Sequence, residues 1–288
     1  MGLGHDPCGR GQTHNLIAGD NIIVTGGNLT SIQNVYSFSS PDQQVLDILY
    51  PRVGPSRIDG RLLHNSNEYE DLRSFCQSFD EFSERICHEL ADESRSSSIL
   101  HRESYHLFQR NHSRSIALSV AERLAGQGSL LASIILPSSS RSCTRYIVPT
   151  LAYQLAQNIP PSAEHILAAI RHDPCIFERN TATQFKQLIE GPLKMASKEV
   201  SFEESFKWPS IIVVDGNAHQ FFPDSIPYQV IQLLSTLTAN DDLGVNLSLV
   251  LTSSITIVDK ATRATVTLQQ YIVARGNTAC YFTWRVHG

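Results

Sequence analysis

The stretch Ile211-Ile-Val-Val-Asp-Gly216 carries most of the fold information in this chain. Four consecutive β-leaning apolar residues fit a strand covered on both faces, as in a parallel sheet. The carboxylate of Asp215 stands at the carboxyl end of that strand, where open α/β sheets bind ligands. A buried strand closing on an acidic residue has the form of a Walker B element. Its usual partner, a GxxxxGK[ST] loop, occurs nowhere in the 288 residues.

Outward from this strand, apolar runs alternate with helical periodicity. Leu130 to Leu136 predicts a strand, and Leu247 to Leu251 predicts another that ends in Thr252-Ser253-Ser254. Ser115 to Ala125 places Ile116, Val120 and Leu124 on one helical face and stops near Gly126 and Gly128. Ile147 to Asn158 predicts a helix that tolerates Pro149 only near its first turn, with Pro160-Pro161 closing it. Ser162 to Arg171 predicts a helix behind an N-cap Ser162, Thr183 to Ile189 a short one, and Pro227 to Leu237 another. Strands separated by helices predict an α/β fold with a mostly parallel sheet and helices on both faces.

The flanks read differently. Residues 1–60 are rich in Gly, Ser, Asn and Pro and predict a lead-in with at most a small hairpin, Asn21 to Thr25 turning at Gly26-Gly27-Asn28 into Leu29 to Tyr36. Gln43 to Leu49 predicts one or two helical turns. Residues 66–98 predict an amphipathic helix over Ser66 to Ala91, with Leu72, Phe75, Phe79, Phe82, Ile86 and Leu90 at spacings of three and four, and then a polar linker from Asp92 to Ser98. Residues 99–254 form the α/β domain, and residues 255–288 remain unassigned, with Thr265 to Val273 readable as strand or helix.

Bulk properties restrict the function. With 23 Lys and Arg against 28 Asp and Glu, the net charge is −5, and no basic block offers a phosphate-backbone footprint. Nucleic acid is therefore not an expected partner. The longest apolar runs fall far short of the roughly 20 residues that cross a bilayer, so no membrane association is expected either. The six cysteines include no CxxC pair and read as reduced thiols of a cytoplasmic protein. Cys87 and His88 are adjacent and so badly placed to point at one metal ion. No GxSxG nucleophile elbow is present.

Four segments, Ser119 to Leu136, Tyr146 to Ala156 with its Thr150-Leu-Ala-Tyr-Gln-Leu-Ala156, Asp173 to Phe177, and Ile211 to Gly216, occur in this order. Together they resemble the NACHT domain of fungal proteins, in the STAND class of P-loop NTPases, often called nephrocystin-like in their amino-terminal part. The likeness spans residues 99–254 and implies a P-loop NTPase-like three-layer sandwich. It implies a glycine-rich phosphate loop before the helix near Ser115, but Leu107 to Ala117 contains no glycine, and Arg114-Ser115 takes the place of the Lys-Ser/Thr pair. Asp215 matches the Mg²⁺-associated carboxylate, whereas Ala218 and His219 stand where a second acidic pair is common. After the strand ending at Leu251 the family offers Thr-Ser-Arg, and this chain has Thr252-Ser253-Ser254.

The resemblance therefore implies a vestigial nucleotide and Mg²⁺ site at Arg114, Ser115 and Asp215, with no catalytic residues and no resident metal. The expected protein is a non-hydrolysing interaction or regulatory module that works through protein partners and needs no cofactor. Its rivals are an NTPase with a rebuilt phosphate site, which would take ATP or GTP with Mg²⁺, and a truncated remnant without activity.

Overall fold

The computed structural model describes residues 24–25, 28–29, 40–51, 56–73, 83–84, 86–88, 112–137, 141–217, 224–258, 265–275 and 278–287. Two units make up the chain, Met1–Ser39 and Ser40–Gly288. In the first, β1 (Val24–Thr25) pairs antiparallel with β2 (Asn28–Leu29), with Asn28, expected in the turn, paired to Thr25 instead. The rest of the expected second strand, residues 30–36, lies outside the described residues.

The second unit opens with α1 (Pro41–Leu49), followed by 3₁₀ turns at Gly60–Leu62 and Asn67–Tyr69 and by α2 (Glu70–Arg73). Then come α3 (His112–Gly126), β3 (Leu130–Ile135), α4 (Ile147–Asn158) and α5 (Pro161–His172). A long helical stretch follows as α6 (Thr181–Phe185), a π turn (Lys186–Glu190) and α7 (Gly191–Glu199), with the short α8 (Phe202–Ser205) behind it. The remainder is β4 (Ile211–Asn217), α9 (Ile226–Thr238), β5 (Ser248–Val258), β6 (Thr265–Arg275) and β7 (Thr278–His287).

The larger sheet has the order β3-β4-β5-β6-β7. Its first three strands are parallel, as expected, while β6 and β7 return antiparallel, so the sheet is mixed rather than mostly parallel. The correction comes from the unassigned segment after Ser254: residues 255–258 extend β5, and β6, which contains the Thr265 to Val273 run readable as strand or helix, and β7 add two strands to the sheet of the α/β region. Residues 40–60 also belong to the larger unit, where Val45, Leu49, Ile58 and Leu62 are buried in its core.

Helices cover both faces of the parallel strands. On one face, Ala132, Ile134, Ile212, Val214 and Leu249 share a core with α4, α5 and α9. On the other, Ile135, Ile211, Val213 and Val250 pack with Ile116, Val120 and Leu124 of α3. Successive residues of β4 thus enter opposite cores, and all of Ile211 to Asp215 is buried, the environment its unbroken apolar run requires. Burial of each such side chain contributes about 1.5–3 kcal/mol.

Local signals set most helix ends, with instructive exceptions. Pro161 opens α5, where its missing N–H costs nothing, and Ser162 lies inside the first turn with its hydroxyl donating to Ile159 O at 2.7 Å. Ser162 is therefore not the N-cap that its position suggested. The helix expected over 183–189 begins earlier, behind the Asn180 cap, and runs on to Glu199 through Gly191-Pro192. A π turn absorbs the proline, which cannot donate to the turn before it. A Cβ on Gly191 would lie 3.0 Å from Lys186 O, so this widened turn favours glycine.

The amphipathic helix expected over 66–91 starts as the 3₁₀ turn and α2, and residues 83–84 and 86–88 are helical. Phe75, Phe79, Phe82 and Leu90 lie outside the described residues, as does the linker 92–98.

Candidate functional site

Register delivers Asp215 to its neighbours. In the parallel ladder Asp215 pairs with Ile135 of β3 on one side and with Thr252 of β5 on the other. Asp215 is 2 % exposed, and Thr252 is fully buried. The Thr252 hydroxyl donates to Asp215 Oδ1 at 2.5 Å.

The opposite carboxylate oxygen is taken by Arg114. This residue lies in the first turn of α3, which packs across β3 and β4 and carries the guanidinium over the strand ends. Arg114 Nε donates to Asp215 Oδ2 at 3.1 Å, and Nη2 donates to Leu136 O just beyond β3. The guanidinium also stands 5.8 Å from the centroid of the Tyr69 ring, a cation–π arrangement. Ser115 follows in the same turn and is buried.

Burial pushes the Asp215 carboxyl above the usual carboxylate range, while Arg114 and the Thr252 hydrogen bond pull in the opposite direction. Tyr69 is 1 % exposed, and burial raises its phenol as well. Its hydroxyl donates to Arg61 O at 2.5 Å and lies 3.2 Å from Ile135 O.

Two of the three residues expected at the site, Arg114 and Asp215, thus meet directly, with Ser115 next to Arg114 in sequence. Thr252 was legible only as part of the Thr-Ser-Ser strand end, and its partnership with Asp215 follows from strand register. Tyr69 and the Leu136 carbonyl were not legible as site groups, because they arrive from segments 146 and 79 residues before Asp215. Of the region expected to hold the phosphate loop, Leu107 to Asn111 lie outside the described residues, as do Ala218 and His219, while the residues from His112 onward belong to α3, which starts before the expected Ser115.

The arrangement does not fit a Mg²⁺–nucleotide site. A hard divalent cation takes oxygen ligands, yet each oxygen of Asp215 is already engaged, one by a hydroxyl and the other by a permanently charged guanidinium. Among the described residues, no group of three His, Cys, Asp or Glu side chains converges as a metal site. Cys87, weighed as a zinc ligand, is buried with its thiol pushed up to about 11, which disfavours the thiolate that binds metal. Among the described residues, no helix is long and apolar enough to cross a membrane.

Comparison with family models, with curated proteins and with solved structures gives no match for this chain.

Proposed function

We propose that this chain is a degenerate NACHT-like domain, derived from the P-loop NTPases of the STAND class, that no longer hydrolyses nucleotide and serves as a cytoplasmic interaction or regulatory module for protein partners. The observation that carries this reading is the closed pair Arg114–Asp215 with Thr252 on the second carboxylate oxygen. Phosphoryl transfer depends on a phosphate cradle, a metal-holding carboxylate and a positioned water. Here the cradle lacks its glycines and lysine, and the carboxylate is bound to its own chain.

The parallel strands β3, β4 and β5, with helices on both sides, support a P-loop-type three-layer arrangement as the ancestral frame. Admitting a metal would require breaking a buried ion pair, and removing one partner of such a pair typically costs about 3–5 kcal/mol. The frame persists because its apolar core does not depend on the site.

Titration of a fluorescent ATP or GTP analogue with Mg²⁺, beside a thermal-melt series, tests this reading. A ligand bound at one site and held at 100 times its Kd adds about 2.7 kcal/mol of stability. The expected result is a flat response at millimolar nucleotide. Saturable binding that disappears in Asp215→Ala would overturn the proposal in favour of an NTPase rebuilt around Arg114 and Ser115. A broad, non-cooperative melt would instead mark an inactive remnant.

A further inference from the structure

A second group of polar atoms gathers at the other end of the parallel strands, remote from Asp215. A cleft of about 250 Å³ opens there at the start of β3, with Leu130 at its base and His64, Asn65, Gly128, Gln157 and Asn158 around it. β3 is the edge strand, and its register against β4 shifts between Leu130 and Ala132 beside this cleft. Such bulges concentrate at sheet edges and next to binding sites.

The hydrogen bonds around the cleft use the NH2 groups of two lining amides and leave their oxygens as acceptors. Asn158 donates Nδ2 to Leu131 O at 2.7 Å, which fixes its amide and leaves Oδ1 as an acceptor. Gln157 donates Nε2 to Tyr153 Oη at 3.2 Å and likewise retains Oε1. Both flanking helices end here. α3 stops beside Gly128, and α4 stops at Asn158. Each helix C-terminus carries roughly half a negative elementary charge.

Among the described residues no charged side chain lines the cleft. His64 is held uncharged by burial and by nearby Arg73, which itself pairs with Glu122 at 2.8 Å.

We propose that this cleft binds a small organic cation that donates hydrogen bonds, a primary ammonium or guanidinium group. The amide oxygens of Gln157 and Asn158 and the negative ends of two helices favour N–H donors carrying positive charge and oppose anions. The lining lacks the carboxylates that a divalent metal requires. The volume lies below the roughly 300–1,000 Å³ of sites for drug-sized ligands and suits one side-chain-sized group. That group can come from a free diamine or from a Lys or Arg side chain of another protein.

The test uses the full chain, with agmatine and putrescine as free probes and an acetylated, amidated tripeptide with a central Arg as the peptide probe. Backbone amide shifts of Asn65, Gly128 and Asn158 are followed by NMR. The expected result is saturable binding of the cations, with no response to urea or acetate at the same concentration. Gln157→Glu should tighten cation binding about fivefold and Gln157→Lys weaken it by a similar factor, the equivalent of about 1 kcal/mol for a charge pair 4 Å apart in water. Gln157 is exposed in the last turn of α4, so the helix dipole should lower the melting midpoint slightly in Gln157→Glu and raise it slightly in Gln157→Lys, with the cooperative fold kept in both.

Tighter binding of the tripeptide would mark a protein as the source, and tighter binding of the free diamines a metabolite. Equal responses to urea or acetate, no saturable response to any cation, or affinities unchanged in both Gln157 variants would overturn the proposal.

Discussion

Arg114 Nε lies 3.1 Å from Asp215 Oδ2, joining the first turn of α3 to the end of the central parallel strand. The contact spans 101 residues of sequence and is shielded from water, with the two side chains 15 % and 2 % exposed. It turns what would be an uncompensated buried carboxylate into one end of a neutral pair.

Removing one partner should therefore cost more than removing both. Arg114→Met is expected to destabilise the fold by about 3–5 kcal/mol, and Arg114→Met combined with Asp215→Leu by distinctly less. Urea unfolding of the single and double variants measures this, and equal losses in both would show that the pair contributes nothing beyond packing. In Arg114→Met the carboxyl loses the charge that pulls its pKa down, so its pKa, already raised by burial, rises further. The folded state then binds a proton more tightly than the unfolded chain does. The stability of this variant should recover as pH falls through the raised pKa towards the unfolded value near 3.8.

The free edge of β3 is sealed by side chains. Gln154 accepts from Ser133 N at 2.9 Å and donates to Ser133 O at 2.9 Å, reproducing a ladder rung, while Asn158 caps Leu131 O. Gln154→Leu leaves both Ser133 backbone groups buried without partners. The expected loss is about 2–6 kcal/mol, from about 1–3 kcal/mol for each of the two orphaned groups. Hydrogen exchange at the Ser133 amide should quicken markedly more than in β4. An unchanged rate would contradict the cap.

Gly128 has φ +71°, and a Cβ there would meet nothing within 4 Å. It ends α3 in a Schellman arrangement, with Ser129 N bonded to Leu124 O at 2.9 Å and Gly128 N to Ala125 O at 3.0 Å. Gly128→Ala should cost about 1–2 kcal/mol purely through backbone strain. Gly126→Ala, in a helix and equally uncrowded, should be neutral or mildly stabilising. Thermal unfolding of the two variants separates these effects.

His64 carries a pH dependence of opposite sign to that of Asp215 in the Arg114→Met variant. Burial, and then Arg73, holds its imidazole below the ordinary value of 6.5, so the unfolded chain takes up the proton first. The stability that His64 contributes is present above pH 6.5 and is lost as pH falls through its lower folded value. His64→Gln should flatten that acidic loss in unfolding measured across this window. An imidazole NMR titration at 6.5 or above would refute the assignment.

Much of the fold was visible in local pattern. The unbroken apolar run of Ile211 to Val214, the helical spacing of Ile116, Val120 and Leu124, and Pro149 confined to a first turn each predict an element that the structure contains. These signals are local, because burial on one face or two imposes its period directly on neighbouring residues. Asp215 stood out as well, for ending a strand, whereas Arg114 entered only through the family resemblance, in the place of the phosphate-loop lysine.

Other outcomes depended on contacts between distant segments. Strand register placed Thr252 beside Asp215, and the 3₁₀ turn at Asn67–Tyr69 brought Tyr69 beneath the guanidinium. Pairing with β5 made β6 an antiparallel strand where the period of Thr265 to Val273 was ambiguous, and β7 pairs with β6 in turn. Composition and periodicity show which residues will be buried. Which buried charge meets which, and so whether Asp215 is left for a metal or satisfied by the chain's own arginine, is set by long-range geometry that only the folded chain supplies.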